Sequence, residues 1–215
     1  MKHLQVDFLQ LAPDDCSPVQ ISAMLDTVGR HTIEAVPWPA FGYKPAVSFA
    51  IAHSNHGLLI KYYVKEKHAR AKYTNPNDPV YKDSCVEFFV SFDDQEEYYN
   101  FEFNCAGTCL LAFGPGRNSR KEAPENIIDM IQYHATLKPS DSIYTNIAWE
   151  LTLIIPVTVF FFHQLTTLKG KNCRVNLFKC GDDLPEPHFL SWNNIKTDKP
   201  DFHIRKFFGT MQFNE

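Results

Sequence analysis

The 215-residue chain lacks several features that would place it quickly in a class of proteins. It contains no run of 18 apolar residues, so no membrane-spanning helix is predicted. Residues 1–7 include no apolar run that could serve as a signal peptide. We therefore expect a cytoplasmic location, unless an export signal has been trimmed, in which case the protein would be periplasmic or extracellular.

Positive charge is also scarce. The 21 Lys and Arg residues are outnumbered by 25 Asp and Glu residues, which gives a formal net charge of −4. Surfaces that bind nucleic acid or anionic lipid need clustered basic residues. We therefore expect neither a nucleic acid nor a membrane as partner, and the composition leaves the oligomeric state open.

None of the six cysteines forms a C-x-x-C pair, so neither a zinc ribbon nor a thioredoxin-like redox site is expected. Free cysteine is among the most buried residue types. We predict buried free thiols, which favours a reducing compartment. The six residues are Cys16, Cys85, Cys105, Cys109, Cys173 and Cys180.

Helical periodicity is weak, whereas aromatic residues make up 14% of the chain and favour strands. Short helices are predicted at residues 18–25 and after Pro156. Turn residues separate many short β-type segments, which predicts one all-β domain over residues 1–215. The expected fold is an antiparallel β-sandwich, jelly-roll or immunoglobulin-like, with one or two short helices. The predicted strands are residues 47–53, 58–66, 86–93, 98–105, 109–113, 130–137, 143–155 and 173–180.

The most informative segment is a predicted hairpin of residues 86–93 and 98–105. Period-2 alternation places Val86, Phe88, Val90 and Phe92 on one face of the first strand. If residues 94–97 close the hairpin, Phe89 lies opposite Glu102, and Glu87 opposite Asn104. The second face then carries acids and amides beside aromatic rings.

Such a face suits a sugar, whose hydroxyl groups need fixed donors and acceptors and whose C–H face packs on aromatic rings. The competing interpretation is an ordinary solvated outer face of an antiparallel sheet. A separate carboxylate, Glu66, falls on the apolar side of its strand. We expect it at an exposed strand end rather than paired with a cation in the interior.

These segments resemble the carbohydrate-binding module family 9 domain, a β-sandwich found attached to xylanases and as stand-alone bacterial proteins. The most specific part is the opening of the strand that contains Glu87. The matching stretches, in the family's order, are residues 82–89 (KDSCVEFF), 101–104 (FEFN), 149–151 (WEL), 155–156 (IP), 174–178 (RVNLF), 200–203 (PDFH) and 208–209 (FG).

The resemblance implies a non-catalytic module that holds the end of an oligosaccharide or polysaccharide between two aromatic rings. The family's first clamp tryptophan falls near Val80, where Tyr81 is the closest aromatic residue, and the second falls near Phe202. A family arginine falls on Glu102, so we hypothesise that Arg174 replaces that cation. No cofactor is expected, apart from the calcium that the family binds elsewhere in the fold. The predicted sugar-binding residues are Tyr81, Glu87, Glu102, Asn104, Arg174, Trp192 and Phe202.

Three alternatives remain open at this stage. Glu87 and Glu102 could serve as the carboxylate pair of a glycoside hydrolase, because diagonal neighbours fall near the separation such enzymes use. Exposure on a sheet face would argue against that role, since a catalytic acid needs a raised pKa. A haem-binding module and an interaction module that has lost sugar binding are the other two.

Overall fold

The structure is a computed structural model that describes residues 1–12, 17–92, 96–138 and 147–215. These residues form thirteen strands and two α-helices. Neither helix is long and apolar enough to cross a membrane. The strands are β1 (His3–Phe8), β2 (His31–Thr32), β3 (Ala46–Ser54), β4 (Gly57–Glu66), β5 (Cys85–Ser91), β6 (Tyr98–Asn104), β7 (Cys109–Gly114), β8 (Lys121–Glu122), β9 (Gln132–Lys138), β10 (Ile147–Ile155), β11 (Asn172–Cys180), β12 (Phe189–Ser191) and β13 (Gly209–Phe213), and the helices are α1 (Pro18–Leu25) and α2 (Glu125–Ile128).

The strands form two layers that share β1. One layer runs in the order β8-β7-β6-β5-β11-β13-β1, and the other in the order β1-β3-β4-β10-β9. The predicted β-sandwich is confirmed, but it is not wholly antiparallel. Strand β1 pairs in parallel with β13 through residues 3–6 and with β3 through residues 7–8. A parallel neighbour needs a long crossover, and the segment containing α1 supplies it between β1 and β3.

The main core lies between the layers, where the apolar faces of the strands meet. Phe88 and Phe101 from the first layer and Tyr62 and Trp149 from the second are all buried there. Alternation along each strand places these residues inward, as the sequence predicts.

Helix α1 begins and ends where the sequence predicts. Ser17 caps its N-terminus, Gln20 completes a capping box, and Pro18 stands at the first helical position. Its buried residues Ile21 and Leu25 pack on the outer face of the second layer. The segment after Pro156 forms only one 3-10 turn, Val157–Val159.

Glu66 is paired in the interior, so its predicted position at an exposed strand end is wrong. Its side chain and that of Lys179 are each 0% exposed, and Glu66 Oε2 lies 2.9 Å from Lys179 Nζ. Trp149 Nε1 donates a hydrogen bond of 2.6 Å to Glu66 Oε1. Because Glu66 belongs to β4 and Lys179 to β11, this ion pair joins the two layers. Alternation placed the carboxylate inward correctly, but the cation comes from a strand more than a hundred residues away.

A buried histidine completes this cluster. His188 Nδ1 donates to the carbonyl of Glu186 at 2.9 Å, which leaves Nε2 to accept from Lys179 Nζ at 2.8 Å. Burial, together with the nearby Lys179 charge, lowers the pKa of His188 to about 3. The ring is therefore neutral, and the single positive charge of the cluster belongs to Lys179.

We expect the Glu66–Lys179 pair to be essential for stability. Lys179→Met should lower the free energy of unfolding by about 3–5 kcal/mol, because it leaves a buried carboxylate without a cation. The matched control is Lys67→Met, which breaks the exposed pair with Glu186 and should cost less than about 1 kcal/mol. Urea denaturation measures both variants. A Lys179→Met variant as stable as the control would contradict the assignment.

Candidate functional site

The predicted hairpin forms, but its register differs from the prediction by two residues. Strands β5 and β6 pair antiparallel with Glu87 directly opposite Glu102 and Phe89 opposite Asn100. The predicted partners, Phe89 with Glu102 and Glu87 with Asn104, are therefore wrong. Strand β5 ends at Ser91, before the predicted end at Asp93, which lies outside the described residues. A shift of two leaves every side chain on its predicted face.

The polar face of this hairpin is not a solvated surface. Glu87 is 3% exposed and Glu102 2%, and every residue of β5 and β6 is buried. A second apolar cluster covers the face, with contributions from loops and from the C-terminal segment. Its members include Trp38, Phe178, Phe202 and Phe208. The interpretation as an ordinary outer face is therefore excluded.

A cavity of about 210 Å³ opens onto the covered face beside the two glutamates. Its volume is below the range of about 300–1,000 Å³ typical of drug-sized ligands, so it suits a small ligand. Tyr81, Phe189 and Phe202 supply aromatic surface. The charged lining consists of four carboxyl groups and two guanidinium groups, namely Glu87, Glu102, Asp182, Asp201, Arg117 and Arg120.

Glu102 is held by its neighbours through only one of its two oxygens. Its Oε1 accepts from Arg120 Nη1 at 2.9 Å and from Asn100 Nδ2 at 3.0 Å. Its Oε2 is buried and has no hydrogen-bond partner among the described residues. Buried polar atoms without partners are rare in proteins, because each costs free energy. This oxygen therefore has an unused capacity to accept a hydrogen bond, in a residue that lines the cavity.

Glu87 lies directly opposite Glu102, and its pKa is affected by that neighbour. Burial raises its pKa well above the usual range, and the facing carboxylate of Glu102 raises it further. Burial also raises the pKa of Glu102, while Arg120 counteracts that effect. The thiol of Cys180 donates to Glu87 Oε1 at 3.1 Å. Two carboxyl groups this close favour one proton between them, so the pair offers both a donor and an acceptor.

His203 supports the same cluster from the C-terminal segment. Arg120 can only donate, so the 3.5 Å contact from its Nη1 makes His203 Nε2 an acceptor. His203 Nδ1 then donates to the hydroxyl of Tyr98 at 2.9 Å. Burial, together with the charges of Arg120 and Arg117, lowers the pKa of His203 to about 2. The imidazole is a neutral support for Arg120.

Phe202 is an aromatic ring of the cavity that three other rings hold in place. It stacks on Phe178 with ring centroids 4.2 Å apart and planes inclined by 9°. The ring centroids of Trp38 and Phe189 lie 5.8 and 6.1 Å from the centroid of Phe202. A ring already held on several sides loses little conformational entropy when a ligand packs against it.

The structure brings four of the seven predicted binding residues together and places three elsewhere. Tyr81, Glu87, Glu102 and Phe202 line the cavity. The other three are engaged in structural contacts. Asn104 Nδ2 donates to the carbonyl of Tyr73, Arg174 Nη2 donates to the carbonyl of Phe208, and Trp192 packs in the main core.

Trp192 differs most from its predicted environment. It was predicted to bind the sugar, yet it is 3% exposed. Gly209 explains the burial, because a Cβ there would come within 2.5 Å of the indole ring. The missing side chain of Gly209 therefore creates the space that the tryptophan fills.

Neither cation of the cavity is among the predicted binding residues. Arg117 and Arg120 lie in the loop between β7 and β8, one strand away from Glu102. A usable signal was present, since residues 114–120 (GPGRNSR) place two arginines in a turn-forming segment that follows a strand. The cation expected from Arg174 is supplied to Glu102 by Arg120.

The one candidate metal-binding group of acidic, thiol or imidazole side chains among the described residues differs from a calcium site. Calcium takes six to eight oxygen ligands. The one described group of three His, Cys, Asp or Glu residues with ligand atoms within 4.8 Å of one another is Cys85, Glu87 and Cys180. Its two thiols do not match an all-oxygen shell, and burial raises the pKa of the Cys85 thiol to about 12. The group does not fit calcium.

The five described cysteines carry free thiols, as the sequence predicts. Four of them are buried, and Cys105 is partly buried. The sixth, Cys16, lies outside the described residues.

Comparison with known proteins gives a consistent result. The family model described as carbohydrate-binding family 9 matches residues 18–213. A solved structure from Bacteroides uniformis, for which carbohydrate binding has been suggested, is 37% identical with a TM-score of 0.91, and the match covers 99% of both chains. No curated protein matches the chain.

Two more distant structures share the fold. Both are of a carbohydrate-binding module family 9 domain from Caldicellulosiruptor kristjanssonii, one in complex with glucose and the other with cellotriose. Each is 10% identical to this chain, with TM-scores of 0.60 and 0.59. The matches cover 99% of this chain and 96% and 94% of those chains.

We expect His203 to stay neutral from its ordinary pKa of 6.5 down to about pH 2. The unfolded chain gains this proton below pH 6.5 while the folded one does not, so His203 lowers stability progressively as the pH falls through that window. Arg120→Gln should raise the His203 pKa by removing a cation, whereas the distant Arg30→Gln should leave it unchanged. NMR titration of the ring protons measures both effects, and wild-type titration near pH 6.5 would contradict the assignment.

Proposed function

Because the chain belongs to carbohydrate-binding family 9, we propose that the cavity beside Glu87 and Glu102 binds the end of a glycan without covalent chemistry. The family resemblance seen in the sequence is confirmed by the family model, which matches residues 18–213. The cavity contains four of the seven predicted residues and, in addition, Arg117 and Arg120.

The observation that carries the proposal is the unpartnered Oε2 of Glu102 in a small cavity that also presents aromatic surface. A sugar hydroxyl that donates to this oxygen restores the missing hydrogen bond. Hydrogen bonds to charged groups contribute about 1.5–3 kcal/mol, so this contact alone would give strong preference for a polyol. Arg120, which holds the other oxygen of Glu102, fixes the direction of the acceptor.

Phe202 and Tyr81 take the place of the paired aromatic clamp. Both line the cavity, and Phe202 is held in position by Phe178. The C–H face of a pyranose ring is apolar, so it gains by leaving water for such a surface. Polar contacts on the glutamate side and apolar contacts on the phenylalanine side together match the two kinds of surface that a sugar presents.

A hydrolytic function has one structural observation in its favour. Glu87 and Glu102 are buried and face each other, and the pKa of Glu87 is raised well above its usual range. The pair is buried, contrary to the expected exposure, so exposure does not speak against catalysis. Family membership favours binding, since the family consists of carbohydrate-binding modules, and we propose that the chain is not an enzyme.

Glu102→Gln provides the direct test of the binding proposal. The substitution keeps the shape but removes the charged acceptor, so affinity should fall about 10-fold to 100-fold for the sugars that bind. Glu125→Gln, on the exposed helix α2, is the matched control and should bind like the wild type. Calorimetric titration with glucose, cellotriose and xylo-oligosaccharides measures the affinities. A wild-type protein that binds no sugar in this set or on a glycan array would overturn the proposal.

A second experiment separates binding from catalysis. Wild-type protein incubated with xylan, glucans and host-type glycans should release no reducing sugar, because binding alone leaves the glycosidic bond intact. Glu87→Gln serves as the control for contaminating enzymes. Release that is seen with the wild type and lost with this variant would show a glycoside hydrolase instead.

A further inference from the structure

The cations of the cavity are already paired with carboxylates of the cavity. Arg120 Nη1 lies 2.9 Å from Glu102 Oε1, and Arg117 Nη2 lies 3.3 Å from Asp201 Oδ1. His203 is neutral and has both ring nitrogens engaged. An acidic group on a ligand would therefore have to displace an internal carboxylate to gain a cation.

Two carboxyl groups of the lining remain without a cation. Glu87 and Asp182 form no ion pair within 4.0 Å with any described residue. Glu87 is engaged by the thiol of Cys180. Asp182 differs because its side chain accepts no hydrogen bond from the described residues.

The backbone holds Asp182 in place at the edge of the cavity. Its N–H donates to the carbonyl of Tyr81 at 3.2 Å, and the N–H of Asp183 donates to the carbonyl of Lys82 at 3.3 Å. These bonds fix the turn after β11 to the turn that carries the aromatic Tyr81. Burial raises the pKa of Asp182 to about 6, so its carboxylate is mostly charged at neutral pH.

We propose that Asp182 makes the cavity selective by charge, admitting neutral and amino sugars and rejecting acidic ones. The physical reason is that like charges in a partly desolvated site repel strongly, and the two arginines of the cavity are already paired with Asp201 and Glu102. A protonated amino group, in contrast, would find in Asp182 a carboxylate with no other partner. The inference rests on the proposed function, because it assigns a sugar class to the same cavity.

Three sugars of one shape test the proposal at neutral pH. Glucose is the neutral reference. Glucuronic acid carries a carboxylate in place of the C6 hydroxymethyl group, and glucosamine carries an amine in place of the C2 hydroxyl group. Calorimetry, or competition against a bound oligosaccharide, should give glucuronic acid an affinity about tenfold or more below that of glucose. Glucosamine should bind at least as tightly as glucose.

Asp182→Asn identifies the residue responsible. The variant keeps the size of the side chain and the backbone bonds, and it should reduce the ratio between glucose and glucuronic acid affinities from about tenfold to below about threefold. Asp183→Asn is the matched control. It removes the same charge one residue away, from an exposed side chain that lies 3.8 Å from Arg70 and from Lys82, and it should leave the ratio unchanged.

The outcomes distinguish this inference from the proposed function. Equal affinity for glucose and glucuronic acid, or an equal response of the two aspartate variants, would overturn the charge selection while leaving sugar binding intact. Binding of none of the three sugars, with none on a glycan array, would overturn the proposed function and this inference together.

Discussion

The fold depends on one buried ion pair that joins its two layers. Glu66 on β4 and Lys179 on β11 meet at 2.9 Å, with Trp149 and His188 completing the hydrogen bonds. A charge in the interior is tolerated only when it has a well-placed partner, so the layers are constrained to one relative position. Because β11 also pairs with β5, which carries Glu87, the same constraint positions the candidate site.

The candidate site is a polar face that the protein itself has buried. Loops and the C-terminal segment cover the β5–β6 hairpin and leave a cavity of about 210 Å³ beside its carboxyl groups. Burial gives these groups their chemical character, because low polarity raises the pKa of Glu87 and strengthens the attraction between Arg120 and Glu102. The same residues on a solvated face would be weak partners for any ligand.

Alternation along the strands predicted the faces of the hairpin correctly but not its pairing. Side chains follow a period of two, so Glu87 and Glu102 were bound to share a face in either register. Their direct opposition, in place of the predicted diagonal arrangement, depends on the connection between the two strands, and the sequence of residues 93–97 (DDQEE) has no apolar pattern that would predict the register. Glu66 is a second case in which the face was predictable from the sequence but the partner was not. Its inward direction follows from alternation, whereas its pairing with Lys179 does not.

The sequence by itself determined the β-sandwich, helix α1, the shared face of Glu87 and Glu102, and the family, because each of these follows from local periodicity, capping residues or motifs in order along the chain. Only the tertiary structure decided which residues surround the cavity. Arg120, His203 and Asp182 reach it from three separate segments, while Trp192 and Arg174 turn to structural contacts. Such long-range proximity arises from packing of the layers, and local sequence does not encode it.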